Sequence, residues 1–144
     1  MKYQCSITIN LSRDRVVELF DDPENLPKWQ EGLVSFTHIS GEPGTPGATS
    51  DILFQMGKRR LEMVETIVER NLPDVFTATY EAKGVWNIVE NRFFEDSEDI
   101  TRWDIKTEFK CAGFMRVMVV LMPWLFTKQT NKMMADFKAF AETE

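Results

Sequence analysis

A chain of 144 residues is the length of one domain and long enough to bury a hydrophobic core. A hydrophobic share of 43% and a charged share of 28% exclude a disordered or collagen-like polymer, and eleven Phe, four Trp and eight Met bias the interior toward bulky, adaptable side chains. The net charge of −6, with twelve acids against five bases over residues 62–108, argues against a nucleic-acid partner, whose phosphates need a basic footprint.

Residues 2–10 alternate Tyr3, Cys5, Ile7 and Ile9 against polar neighbours, which predicts a half-buried strand. Ser12 is placed to cap a helix carrying Val16, Val17, Leu19 and Phe20, ending near Asp21-Asp22-Pro23. Glu24 to Leu33, with Pro27 and Trp29, reads as a short second helix or turn closing one mouth of a sheet. A strand over 34–40 follows, then a loop of turn formers from Gly41 to Gly47. Residues 50–56 and 60–70 form a hairpin around Gly57-Lys58, and 75–82 and 85–95 form another around Lys83-Gly84. A polar turn at 96–99 leads into a strand over 100–110. The short turns predict antiparallel neighbours in sequence order. The basic run Lys58-Arg59-Arg60 reads as a solvated hairpin tip.

After Gly113 the apolar period becomes helical, and Pro123 splits the segment in two. The second piece carries Phe126, Thr130, Met133, Phe137 and Phe140 on one face. The run 114–126 is too short to span a membrane, for which about 20 apolar residues are needed. It holds more apolar side chains than one helix can turn inward. The surplus is expected to meet a second copy of the chain or to gate a ligand, in that order, with membrane docking disfavoured by the acidic remainder. Cys5 and Cys111 show no CxxC or Cys/His spacing, and no secretory leader is apparent, so reduced thiols in the cytoplasm are expected. No linker or repeat divides residues 1–144, which are read as one domain.

The order strand, helix pair, six strands, long terminal helix is that of the α+β helix-grip fold: a curved antiparallel sheet of about seven strands around a C-terminal helix. Asn25-Leu26-Pro27-Lys28-Trp29-Gln30-Glu31-Gly32-Leu33, a Gly at position 47 and the terminal Phe137-Lys138-Ala139-Phe140-Ala141-Glu142 sharpen the reading. Over nearly its whole length the chain resembles the START-like, polyketide cyclase/dehydrase and lipid transport superfamily (SRPBCC). The resemblance implies a cavity between sheet and helix. It does not select among carriers, cyclases and dehydratases, so function has to be argued from the site.

Strand parity names the candidate lining. On 100–110, Trp103, Ile105, Thr107 and Phe109 oppose a charged face, so they point in. On 75–82 the inward set is Phe76, Ala78, Tyr80 and Ala82, and on 85–95 it is Asn87, Val89, Asn91 and Phe93. Strand 60–70 has no evident orientation, because Leu61, Met63, Glu65 and Ile67 balance Glu62, Val64, Thr66 and Val68. An outward Glu65 is the commoner arrangement on an acidic sheet. An inward one would have a raised pKa and, with Tyr80, would be the candidate acid–base pair. Asn87 and Asn91 would orient a ligand or be satisfied within the protein.

The expected walls are therefore Phe54, Tyr80, Val89, Trp103, Ile105, Phe126, Thr130 and Met133, with Asn87 and Asn91 as polar contacts and Trp29 and the 41–47 loop gating access. His38 is the sole histidine and has an inward-compatible parity, but it lacks partners at ligand spacing, so no metal is expected. No cofactor motif is present, and Cys5 reads as apolar filler. The expected function is binding of a small hydrophobic molecule (lipid, polyketide or isoprenoid-like) as carrier or sensor. The alternatives are a cyclase/dehydratase-type enzyme using the same cavity and an interaction module docking through 114–126.

Overall fold

The computed structural model describes residues 1–144. In chain order it comprises β1 (Lys2–Ile9), α1 (Arg13–Asp21), a 3-10 turn (Pro23–Asn25), α2 (Leu26–Trp29), β2 (Leu33–Ser40), β3 (Thr49–Met56), β4 (Arg59–Asn71), β5 (Val75–Ala82), β6 (Val85–Ser97), β7 (Ile100–Cys111), α3 (Phe114–Leu121) and α4 (Trp124–Glu142). The strands form one antiparallel sheet in the order β1-β7-β6-β5-β4-β3-β2. Every neighbour from β2 to β7 is a hairpin partner, as the short turns require. β1 returns beside β7, and α1 and α2 bridge from it to the far edge.

Local signals account for the helix boundaries. The Ser12 hydroxyl accepts from the Arg15 N–H at 3.3 Å to start α1, and Asp22 accepts from the Glu24 N–H at 2.9 Å to start the turn that follows. Buried Asn25 donates to the Leu19 carbonyl at 3.2 Å, holding α2 against the end of α1. Gly32 then sits at φ +81°, where an added Cβ would fall 2.7 Å from the Gln55 carbonyl oxygen. Met122 and Pro123 separate α3 from α4, as the proline predicts.

One end of the sheet is closed by a packed aromatic cluster. Trp103 is fully buried and stacks on Phe93 at 5.9 Å, while Phe20, Trp29 and Phe137 meet it edge-on at 5.7, 6.3 and 5.2 Å. Ile9, Val16, Ile105 and Met134 complete this core. The deepest α4 positions are Met134, Phe137 and Ala141, with Phe126, Thr130, Met133 and Phe140 half-buried beside them. The helix therefore turns a face slightly rotated from the expected stripe, because α2 packs on it as well as the sheet.

At the other end α4 is latched to the sheet edge. The Tyr3 hydroxyl bonds Thr130 Oγ1 at 2.7 Å and the Phe126 carbonyl at 3.1 Å, and Phe109 meets Phe126 edge-on at 5.0 Å. Helix packing is closest on β1, β6 and β7, with α2 against β2 and Phe20 of α1 meeting Phe76 of β5 edge-on at 6.0 Å. α3 buries none of its residues.

Candidate functional site

Register assembles a site that no single strand displays. Ser50 lies opposite Glu65, Glu65 opposite Tyr80, Tyr80 opposite Asn87, and Asn87 opposite Phe109. Directly opposed residues share a face. Phe109 touches α4, so this row crosses the concave face toward the helix. Toward the packed end it is flanked by Ile67, Ala78, Val89 and Thr107, which are also in register. The result is a polar row in an apolar wall.

The centre of the row is Glu65, only 9% exposed, whose single hydrogen-bond partner is the Tyr80 hydroxyl, donating to Oε2 at 2.8 Å. Glu65 therefore faces inward, the rarer of the two orientations open to strand 60–70. Its pairing partners Ser50 and Tyr80 place it there, and nothing in its own strand does. Burial pushes the Glu65 carboxyl above its ordinary range, and the Tyr80 bond offsets only part of that rise. Burial first, then the Glu65 charge and the hydrogen bond, push the Tyr80 phenol well above its usual value. Tyr80 accordingly keeps its proton and donates it to Glu65, and no cation is paired with the Glu65 carboxyl.

Asn87 is buried and donates to Thr107 Oγ1 at 2.7 Å and the Glu108 carbonyl at 3.0 Å, while its Oδ1 receives no hydrogen bond. Asn91 is engaged at both ends: Oδ1 accepts from Trp103 Nε1 at 3.1 Å and Nδ2 donates to the Phe76 carbonyl at 3.2 Å. The two asparagines thus divide between the open row and the core. Cys5 is buried among core side chains, and burial raises its thiol pKa, as suits an apolar filler.

The remaining candidates separate in the same way. Tyr80, Asn87 and Val89 lie in or beside the polar row; Phe54, opposite Leu61, lies toward the open end of the face; and Phe126, Thr130 and Met133 lie on the facing side of α4. Trp103, Ile105 and Asn91 belong to the packed end instead. Trp29, expected at the mouth, is 4% exposed and packs on Phe20 and Phe137 at 5.9 and 5.0 Å. The short α2 presses its indole between α1 and α4, so it is part of the closed end and not a movable gate. His38 lies opposite Ser50 on the edge strand β2 and is exposed, and no group of His, Cys, Asp or Glu is arranged to hold a metal ion. Sequence reasoning missed Ser50 and Tyr3. Tyr3 had the right parity, but its bond to Thr130 spans most of the chain; Ser50 had no signal apart from register.

Two surface grooves lie away from the Glu65 row. One, of about 510 Å³, runs between α2 and α4 and is crossed by Lys132, which pairs with Glu31 at 2.6 Å and Asp136 at 2.8 Å. The other, of about 310 Å³, follows α3. No helix is long and apolar enough to cross a membrane.

Comparison with known proteins agrees with this architecture. The aromatase/cyclase Zhui from Streptomyces sp. R1128 superposes with a TM-score of 0.80 at 11% identity, over 99% of this chain and 93% of its own. Norcoclaurine synthase from Thalictrum flavum, solved with dopamine and hydroxybenzaldehyde, gives 0.74 at 15% identity, over 100% and 87%. A conserved protein from Geobacillus kaustophilus gives 0.82 at 14% identity, over 99% and 96%. At such identities the likeness is one of fold. No curated protein matches the chain by sequence. The family model described as polyketide cyclase / dehydrase and lipid transport matches residues 1–142, and the chain belongs to that family.

Proposed function

We propose that the protein binds a small hydrophobic molecule bearing one polar group, in the space between the concave face of β3 to β6 and α4. The observation that carries this reading is the Glu65–Tyr80 pair: a buried carboxyl group with one hydrogen bond, flanked by the apolar side chains Ile67, Ala78 and Val89. Phe54, Val89, Phe126 and Met133 supply apolar contact, whose burial favours binding by roughly 25 cal/mol per Å². Glu65 and Asn87 Oδ1 supply acceptors for a hydroxyl or ammonium group, which restores hydrogen bonds that burial would otherwise cost. Lipid, polyketide and isoprenoid-like molecules with such a group are the ligand class, and the protein is a carrier or sensor for them. Two free cysteines suit a reducing, cytoplasmic setting.

Titration with the neutral fluorophore N-phenyl-1-naphthylamine tests the reading. Saturable binding that weakens at least tenfold in a Val89→Glu or Phe126→Glu variant is expected. Binding unaffected by both would refute it. Mass spectrometry of the protein under native conditions, followed by organic extraction, would identify any ligand carried through purification.

The raised Glu65 pKa favours a second reading, a cyclase/dehydratase-type enzyme in which Glu65 moves a proton and Tyr80 holds it in place. It is distinguished by Glu65→Gln, which would abolish turnover of a bound polyketide while leaving its affinity within about twofold.

A further inference from the structure

Nine of the seventeen Lys and Arg side chains form ion pairs. Of the eight that do not, seven stand at one end of the molecule. Lys58, Arg59 and Arg60 occupy the β3–β4 turn, Lys83 the β5–β6 turn and Lys110 the end of β7; antiparallel pairing brings all of these to the same edge. Arg116 on α3 and Lys128 near the start of α4 complete the set. The eighth, Lys106, lies within β7 on the convex face. A protein of net charge −6 thus gathers its unpaired cations at a single end.

The three most exposed large apolar side chains are gathered there too, on α3. Phe114 is 71% exposed, Val120 72%, Leu121 65% and Trp124 58%, and Met56 and Leu61 flank the basic β3–β4 turn. From Phe109 to Ala135 there is no carboxylate. The nearest strand carboxylates, Glu62, Glu81 and Glu108, lie two residues in from Arg60, Lys83 and Lys110 on the convex side, and none of them is on α3 or the start of α4.

We infer that α3 and the start of α4 dock on an anionic lipid bilayer, with the apolar side chains in the headgroup–acyl boundary and the surrounding cations on the lipid charge. An apolar helix flanked by a Trp and ringed by Lys and Arg is matched by such a surface. A second copy of the chain matches it poorly, since a two-fold contact through α3 would set Arg116 and Lys128 against their own copies, with no carboxylate on α3 or the start of α4 to meet them. The acidic remainder, which made membrane docking unattractive from composition alone, spares α3 and the start of α4, and Glu31 beside α4 and Asp136 on it are paired with Lys132. The inference does not depend on the ligand of the concave face.

Co-sedimentation of the protein with phosphatidylcholine vesicles, with and without phosphatidylglycerol, tests it. Partitioning is expected to be at least about tenfold stronger with the anionic lipid and to weaken as salt is raised. Val120→Glu/Leu121→Glu and, separately, Arg59→Glu/Arg60→Glu should each reduce it about tenfold or more, whereas Lys106→Glu, an equal type of charge reversal outside the end, should leave it within about twofold. All of these positions are exposed, and unchanged circular dichroism melting would show that the variants fold. Equal binding to neutral vesicles, or no binding to either, overturns the inference. So does a dimer in sedimentation velocity that Val120→Glu/Leu121→Glu dissociates. Binding to single-stranded RNA as tight as to vesicles and indifferent to that variant would assign the cations to nucleic acid and likewise overturn it.

Discussion

Replacing Asn91 by Leu tests whether the packed end of the molecule depends on one buried amide. In the native protein Trp103 is fully buried, and its indole N–H has Asn91 Oδ1, at 3.1 Å, as its one acceptor. The same amide donates to the Phe76 carbonyl at 3.2 Å, tying β6 to β5 beside the aromatic cluster. Leu fills a similar volume, so the cavity term is small, but it leaves a donor and an acceptor without partners away from water. Each such group costs about 1–3 kcal/mol, and the added apolar burial offsets about 1 kcal/mol. A net loss of about 1–5 kcal/mol follows, a substantial part of the 5–15 kcal/mol typical of a domain. At about 2–4 °C per kcal/mol for a domain of this size, Tm should fall by roughly 2–20 °C. Urea unfolding of Asn91→Leu, Trp103→Phe and the double variant forms a cycle. Because Trp103→Phe removes the stranded donor, the double variant should be less destabilised than the sum of the singles by about 1 kcal/mol or more. Strict additivity, or a single-variant loss below about 0.5 kcal/mol, would refute the assignment.

Three further outcomes are expected. Since the folded-state pKa of Glu65 lies above its unfolded value, the folded protein binds the extra proton between the two; stability relative to Glu65→Gln should therefore be highest below the unfolded pKa, fall as pH rises through the folded pKa and then level off. Urea midpoints from pH ~4 to ~8 measure this, and a flat difference would contradict the burial of that carboxyl. Gly32→Ala should destabilise by about 1–3 kcal/mol, because it strains a positive φ and presses a methyl group onto the Gln55 carbonyl; a change below about 0.5 kcal/mol would mean the turn accommodates a side chain freely. Tyr3→Phe should cost about 1 kcal/mol and raise hydrogen exchange at the start of α4, whose Thr130 and Phe126 it holds, while leaving the Trp103 end protected. Uniform exchange changes would show that the latch is not local.

The strand 100–110 illustrates what a sequence determines by itself. Its charged parity can only meet water, so the inward placement of Trp103, Ile105, Thr107 and Phe109 follows from local alternation. Pro123 divides the terminal helices for an equally local reason, and Ser12 starts α1 through its own side chain. These signals suffice for the α+β architecture because each is written within a few residues of its effect.

The site was decided by partners distant in sequence. Glu65 has an alternation that serves either face, and only its register with Ser50 and Tyr80 turns it inward. Asn91 and Asn87 have the same parity and chemistry, yet one lies beside Trp103 and the other beside Thr107, which makes one a part of the core and leaves the other an open acceptor. Trp29 was legible as an aromatic near a mouth but not as one pressed between α1 and α4. The run Lys58-Arg59-Arg60 looked like an ordinary solvated tip until the antiparallel order of the sheet set it beside Lys83, Lys110 and α3. Periodicity is a local property and survives in the one-dimensional chain; burial, pairing and charge segregation depend on which distant segments meet, and folding alone brings them together.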